Sequence, residues 1–173
     1  IDYSTAHWRF GISGTEYQTL INNTEEQYKQ LPRIHANGEY RINAGGQDFL
    51  FNLKNQFTVF DHDDNRRVTG DRLRSDFSVT LDKQWMWGYF RPTLKLKHLS
   101  YDLDDPLTPG GDDGPSTTVP VGIIDTGLYF ERFSNLFGGH TQTLEPRIYY
   151  LNAKTEDQSD NPDFDTDDLT FSY

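Results

Sequence analysis

The chain alternates between apolar and polar residues, and this two-residue period returns along its whole length. From Ile34 to Ile42 every second residue is apolar or small. The alternate positions from Arg33 to Arg41 carry polar or charged residues. A β-strand with this period places the two sets on opposite faces of a sheet. Because the polar set carries full charges, the pattern is typical of a sheet between lipid and water, which is the wall of a transmembrane β-barrel.

Other segments repeat the same period. Further runs begin at Trp8, Phe49, Leu73, Phe90, Ile124 and Leu144, and a last one begins at Leu169 and reaches Tyr173. Each run has about the length of a tilted membrane-crossing strand, roughly 9–11 residues. We therefore predict an all-β fold, an antiparallel transmembrane β-barrel wall of about eight strands, with the apolar positions facing lipid.

The connections between these runs alternate in length, which supports the same interpretation. Short connections are predicted at Asn43–Asp48, Asp82–Gly88 and Phe133–His140, and longer ones at Ile21–Leu31, Asp61–Asp71, Asp102–Val119 and Ala153–Asp168. Outer-membrane barrels have short periplasmic turns and longer extracellular loops. Most of the negative charge lies in the long connections, so we expect an acidic rim around a partly basic wall.

Two prolines, Pro92 and Pro146, fall within predicted strands at outward-facing positions. Proline has no backbone N–H to donate to a neighbouring strand, so central strands normally exclude it. These positions predict local breaks or bulges in strand pairing, with ordinary edge placement as the alternative.

Composition narrows the classes of function. The chain has 173 residues, no cysteine, a net charge of -11 and a mean hydropathy of -0.78. The length is ordinary for one domain, and barrel strands are half polar, so a low mean hydropathy is compatible with them. The negative charge argues against nucleic acid as a partner. No signal peptide is visible at Ile1–Tyr3, so it was removed or the chain is an internal fragment.

Candidate catalytic and metal-binding patterns are weak. The five histidines are scattered, and the EF-hand-like start at Asp61 has Arg66 and Arg72 where the loop needs glycine and glutamate. Glu131 and Glu145 form either a carboxylate pair across neighbouring strands or ion pairs with Arg132 and Arg147. We predict no enzyme activity, no cofactor and no metal site.

Several motifs resemble one known family. The run from Val121 to Arg132 is similar to its D-x-G-L-x-F-E-R strand, and Gln142–Leu151 is similar to its Q-T-L-E-P-R-x-x-Y-L strand. Residues 157–165, the closing run 169–173 and the Leu31–Ile34 strand start resemble it as well. The family is that of the LPS-assembly outer-membrane protein LptD, also called the organic solvent tolerance protein family.

This resemblance implies a gated barrel in the outer membrane of a Gram-negative bacterium. Such a barrel accepts lipopolysaccharide from a periplasmic Lpt bridge and inserts it into the outer leaflet, with an LptE-like plug lipoprotein in its lumen. The family also has a jelly-roll domain and more than eight strands. Residues 1–173 are therefore expected to be part of one outer-membrane β-barrel domain, a middle portion of the wall of a larger barrel in the lipid bilayer.

The candidate site residues are charged side chains on the polar face. We predict that they line the lumen: Arg72, Arg74, Asp76, Lys95, Lys97, Asp125, Glu131, Glu145 and Arg147. The cations then meet the plug or the anionic part of the glycolipid, or they only balance neighbouring carboxylates. Two alternative functions stay open: a complete small eight-stranded outer-membrane barrel, acting as an adhesin or enzyme, and a soluble carbohydrate-binding β-sandwich.

Overall fold

The described part of the chain is built from β-strands. The computed structural model describes residues 1–17, 27–107, 109–135, 138–158 and 161–165. Within these residues the strands are β1 (Asp2–Ser4), β2 (Trp8–Thr15), β3 (Lys29–Ala44), β4 (Gln47–Asp61), β5 (Gly70–Trp85), β6 (Gly88–Leu103), β7 (Ser116–Leu128), β8 (Phe130–Ser134), β9 (His140–Leu144) and β10 (Arg147–Ala153). No helix in these residues is long and apolar enough to cross a membrane. The strand predicted at 169–173 lies outside the described residues.

Eight of the described strands form one antiparallel sheet, which confirms the predicted fold class. Its order is β1-β2-β3-β4-β5-β6-β7-β10, and β8 and β9 form a separate two-stranded ladder. Among the described residues β1 and β10 are the two edges and do not pair with each other. The sheet is therefore open among the described residues, unlike the closed eight-stranded barrel considered as an alternative.

The alternation of short and long connections is confirmed from β3 to β7, and the connections predicted at 21–31, 133–140 and 153–168 lie partly outside the described residues. The β3–β4 turn has only Gly45 and Gly46 between paired residues, with φ of 60° and 73°. Positive φ at both central residues matches the right-handed twist of a two-residue hairpin, and glycine adopts it without strain. The β5–β6 turn has Met86 and Trp87 at the same end of the sheet. We call this end the turn end and the opposite one the loop end.

The strands are longer than the sequence pattern predicted. β3, β5 and β6 each contain 16 residues. They extend into segments that were expected to be loops, so Asp71 and Asp102 are paired strand residues rather than loop residues. The acidic rim is thus partly built from strand ends.

Both prolines interrupt the ladders without changing the register. Pairing between β5 and β6 stops at Thr80–Thr93 and resumes at Lys83–Phe90, on either side of Pro92. Around Pro146, β7–β10 and β8–β9 have the same register, with Gly127 opposite Arg147 and Phe130 opposite Leu144. The predicted local breaks are confirmed, and the physical reason is the missing N–H of proline.

Alternation along the strands gives the sheet two chemically different faces. The face that carries Phe51, Phe77 and Leu94 is called the apolar face, and the face that carries Lys54, Asp76 and Lys97 is called the polar face. A register shift in β3 between Gln30 and Arg33 places both of these residues on the polar face. Many large side chains of the apolar face are exposed, among them Phe77, at 42%.

The buried core of the chain lies on the polar face, at the loop end. Its members are Phe60, Leu99, Tyr101, Leu103, Val119, Val121, Ile123 and Phe164. This position differs from the prediction of a wholly polar inner face. The reason is that the chain folds back over this end after β10, and Phe164 completes the cluster.

Candidate functional site on the polar face

Most of the predicted site residues do share one face. Strand register places Arg72, Arg74, Asp76, Lys95, Lys97, Asp125 and Arg147 together on the polar face of β5, β6, β7 and β10. The face has three zones, which are a central cationic zone and an ion-paired zone at each end.

The central zone carries more cations than carboxylates. Asp76 lies directly opposite Lys54 on β4 and Lys97 on β6. Arg74 approaches it from the same strand, with Nε 3.6 Å from Oδ2 of Asp76. Lys95 adds a further positive charge one position towards the turn end. Opposite charges facing each other across strands stabilise the sheet, and in this zone the cationic side chains outnumber the carboxylates.

The turn end of the face is held by ion pairs. Arg91 Nε donates to Oδ1 of Asp82 over 2.7 Å. Arg147 donates to both carboxylate oxygens of Asp125, over 2.7 and 2.9 Å. Tyr89 donates to the same carboxylate, and the Arg91 guanidinium lies 4.7 Å from the Tyr89 ring centre. A two-pronged arginine–carboxylate contact fixes both side chains in orientation.

The loop end is closed by a contact that the sequence did not reveal. Arg72 is 3% exposed and donates to both carboxylate oxygens of Asp165, over 2.6 and 3.0 Å. Gln30 Nε2 donates to the same carboxylate over 3.3 Å. The sequence pattern predicts an acidic loop at Asp165 and an open wall at Arg72, and the structure instead joins the two residues in a buried contact.

Aromatic rings surround this ion pair. Phe164 stacks on Phe60 with ring centres 4.6 Å apart, and it contacts Tyr28 and Tyr101 edge-on at 4.9 and 6.0 Å. The Arg72 guanidinium lies over the Phe60 ring at 4.8 Å. Burial raises the pKa of the Tyr28 hydroxyl. Since residues 161–165 cover the loop end of the polar face in this way, we call them the covering segment.

The sequence itself contains a signal for this buried zone. In β6 the apolar positions run through Leu94 and Leu96, then change parity to Leu99, Tyr101 and Leu103. A change of parity moves apolar side chains to the other face of the strand. It predicts that the polar face becomes apolar beyond Lys97.

The two predicted glutamates lie beyond the turn end of the central zone. Glu131 lies on β8 opposite Thr143, and Glu145 lies in the interruption between β9 and β10. The expected partners are engaged elsewhere, because Arg132 donates to Gln142 and Arg147 to Asp125. The structure therefore does not bring these two residues into the central zone.

One loop at the loop end is locally ordered by charge. In the β4–β5 loop, Arg66 Nε and Nη2 donate to the carboxylate of Asp64 over 2.9 and 2.7 Å. This contact holds the pKa of Asp64 at about 2, below its usual range. The residues that resembled the start of an EF-hand thus form a loop that is closed by an arginine–carboxylate pair.

An antiparallel sheet with an exposed apolar face, a charged opposite face and connections of alternating length defines a segment of a transmembrane β-barrel wall. The comparisons with known proteins identify the family. The family model described as LptD, LPS transport system D, matches residues 1–173. The chain belongs to this family.

Individual relatives agree with this assignment. The chain is 39% identical over 171 residues to the LPS-assembly protein LptD of Hahella chejuensis. This alignment covers 91% of the chain and 20% of the relative. It is 38% identical to that of Marinobacter nauticus and 31% identical to that of Saccharophagus degradans, with the whole chain covered in both. The relatives are named as assembly proteins rather than enzymes. The chain spans about a fifth of their length.

Proposed function

We propose that this sheet is part of the wall of an outer-membrane β-barrel that delivers lipopolysaccharide to the outer leaflet. The polar face lines the lumen and the apolar face contacts lipid, because a charged side chain in hydrocarbon costs about 2–4 kcal/mol near the midplane. The family assignment and the names of the relatives support this substrate.

The observation that carries the proposal is the central cationic zone. Lys54, Arg74, Lys95 and Lys97 lie around Asp76, between a turn-end zone and a loop-end zone that each contain arginine–carboxylate ion pairs. An excess of positive charge on one face of a sheet attracts phosphate and carboxylate groups. The anionic sugar-phosphate part of lipopolysaccharide has this chemistry, so we assign its passage to this zone.

The remaining partners follow from the same assignment. The turn end faces the periplasm, where a jelly-roll domain outside this chain would receive the glycolipid from the Lpt bridge. An LptE-like lipoprotein would occupy the lumen and contact the polar face. The predicted site residues Glu131 and Glu145 are proposed to lie at the periplasmic mouth, away from the cationic zone.

The proposal is tested by reversing charge at the centre of the face in the full-length protein. The variant K95E/K97E should reach the outer membrane in normal amounts, because both positions face water. Lipopolysaccharide at the cell surface should fall, since the cationic zone would become acidic. Surface lipopolysaccharide and the amount of assembled barrel are measured in the same cells.

The matched control is R66E/R67E, which makes the same charge change in the β4–β5 loop. This variant should leave delivery unchanged, because the loop lies outside the proposed path. Normal delivery by assembled K95E/K97E barrels would contradict the role of the cationic zone.

A further inference from the structure

The polarity of the two faces reverses along single strands. Near the turn end of β6, Phe90, Leu94 and Leu96 lie on the apolar face. Beyond Lys97 the apolar face carries His98, Ser100 and Asp102, while Leu99, Tyr101 and Leu103 are buried on the polar face. β7 shows the same reversal, with Thr118 on the apolar face and Val119, Val121 and Ile123 buried on the other.

The reversal does not occur at the same level in neighbouring strands. One row of cross-strand partners on the apolar face runs through Ile12, Ile34, Phe57, Leu73, Ser100 and Ser116. Its members on β2 to β5 are apolar, and its members on β6 and β7 are polar. One row of cross-strand partners therefore runs from an apolar part of this face into a polar part.

At the turn end, too, the last large apolar position lies at a different level in different strands. A second row on the apolar face leads from Ile42 through Phe49 and Leu81, and on through Pro92 and Ile124 to Tyr150. On β3 the large apolar positions stop at Ile42. On the strand that contains β10 and β9 they continue six residues past Tyr150 to Leu144.

We call the strip of large apolar side chains on the apolar face the apolar band. The different levels at which it ends on different strands give its slope. Six residues correspond to about 20 Å along a strand, and the five spacings from β3 to β10 correspond to about 24 Å across the sheet. The band is therefore inclined by about 40° to the rows, which is the strand tilt of outer-membrane barrels, roughly 35–45°.

Hydrogen bonding on the apolar face fits this slope. Asn55 and Ser75 are polar residues inside the band, and Ser75 Oγ donates to Oδ1 of Asn55. In the same row, His98 Nδ1 lies 2.8 Å from Oγ1 of Thr118. Polar groups in hydrocarbon need internal partners, and the Ser75 hydroxyl has one in the side-chain oxygen of Asn55.

We propose that the outer boundary of the bilayer hydrocarbon crosses this sheet obliquely, passing between Leu73 and Ser100. On β6 and β7 the loop-end portions then stand outside the bilayer as a projecting wall. The outer side of this wall meets water and its inner side is packed by the buried cluster and the covering segment. The inference rests on the proposed function, because it takes lipid as the occupant of the apolar face.

The test uses one spin label at a time in the full-length protein in lipid vesicles, in a background without other reactive cysteines. The variants are F57C, L73C, S100C and S116C, which all belong to one row. Collision with oxygen reports lipid, and collision with a water-soluble nickel chelate reports water. We expect oxygen to dominate at Phe57 and Leu73, and nickel to dominate at Ser100 and Ser116.

L94C and K95C serve as controls, since they lie next to each other on opposite faces of β6. If all four row positions share one environment while L94C lies in lipid, the oblique boundary is wrong. The assignment of the apolar face to lipid is then retained. If L94C lies in water, the assignment of the apolar face to lipid is wrong, and the inference falls with it.

Discussion

At the residue scale, the clearest feature is how tightly some side chains cover glycine in a neighbouring strand. The Tyr89 ring lies over Gly127, where an added methyl group would be 2.7 Å from Cε1 of the ring. The Trp8 ring covers Gly38 in the same way, with the closest ring carbons at 3.0 Å. At Gly122 an added methyl group would meet no atom within 4 Å. Gly127 and Gly38 therefore have no room for a larger side chain, whereas Gly122 has room for one.

We expect Gly127→Ala to destabilise the barrel by about 1–3 kcal/mol, because overpacking forces the ring to move. Moving the Tyr89 ring also breaks the Tyr89–Asp125 hydrogen bond, which has a length of 3.2 Å. Unfolding of the full-length protein by denaturant in detergent micelles measures the change. Gly122→Ala is the control in the same strand and should change stability by less than about 0.5 kcal/mol. Equal effects of the two variants would contradict the packing argument.

At the scale of the elements, consecutive residues of each strand lie on opposite faces of the sheet, one apolar and one polar. In β5, Phe77 lies on the apolar face opposite Leu53 and Leu96, and Ser78 lies on the polar face opposite Asn52 and Lys95. The period of two sets this division, and pairing with neighbouring strands extends it across the sheet. The face of a residue therefore decides what a charge at that position costs.

Phe77→Arg is expected to impair barrel assembly, since it places a charge in hydrocarbon at a cost of about 2–4 kcal/mol near the midplane. Ser78→Arg is expected to assemble almost normally, with a repulsion from Lys95 of roughly 0.2–1 kcal/mol. The amount of folded full-length protein in the outer membrane measures both. Because the two positions are adjacent, strand propensity is controlled. The opposite result would invert the assignment of the faces.

At the scale of the whole molecule, contacts between distant parts of the chain decide where the core lies. Asp165 reaches back to Arg72, 93 residues earlier, and Phe164 packs against β4 and β6. The covering segment thus turns the loop end of the polar face into a buried cluster. The rest of that face remains a charged, accessible surface.

Asp165→Asn should release the covering segment, because Arg72 would lose its charged partner, and hydrogen bonds to charged groups contribute about 1.5–3 kcal/mol. We expect faster proteolysis between residues 154 and 165 of the full-length protein in detergent, by about tenfold for each 1.4 kcal/mol lost. Asp163→Asn removes the same charge at an exposed position two residues away and should leave the rate unchanged. Similar acceleration by both variants would show that the Arg72 contact does not anchor the segment.

The sequence by itself determined the strands, the faces of most residues and the alternation of short turns and long loops. These features follow from the period of two and from local turn chemistry, as in the run from Ile34 to Ile42 and the Gly45–Gly46 turn. They depend on neighbours along the chain, so they can be predicted without coordinates. The placement of Lys95 and Lys97 on the same face as Asp76 was predictable for the same reason.

Only the tertiary structure decided which charges meet and where the core lies. Asp125 was predicted on the polar face, but its partner Arg147 is set by the register between β7 and β10. Arg72 was expected on an open wall and is instead buried under Asp165, because a segment distant in sequence folds back over it. The slope of the apolar band also appears only when strands are aligned side by side, since it is a relation between registers.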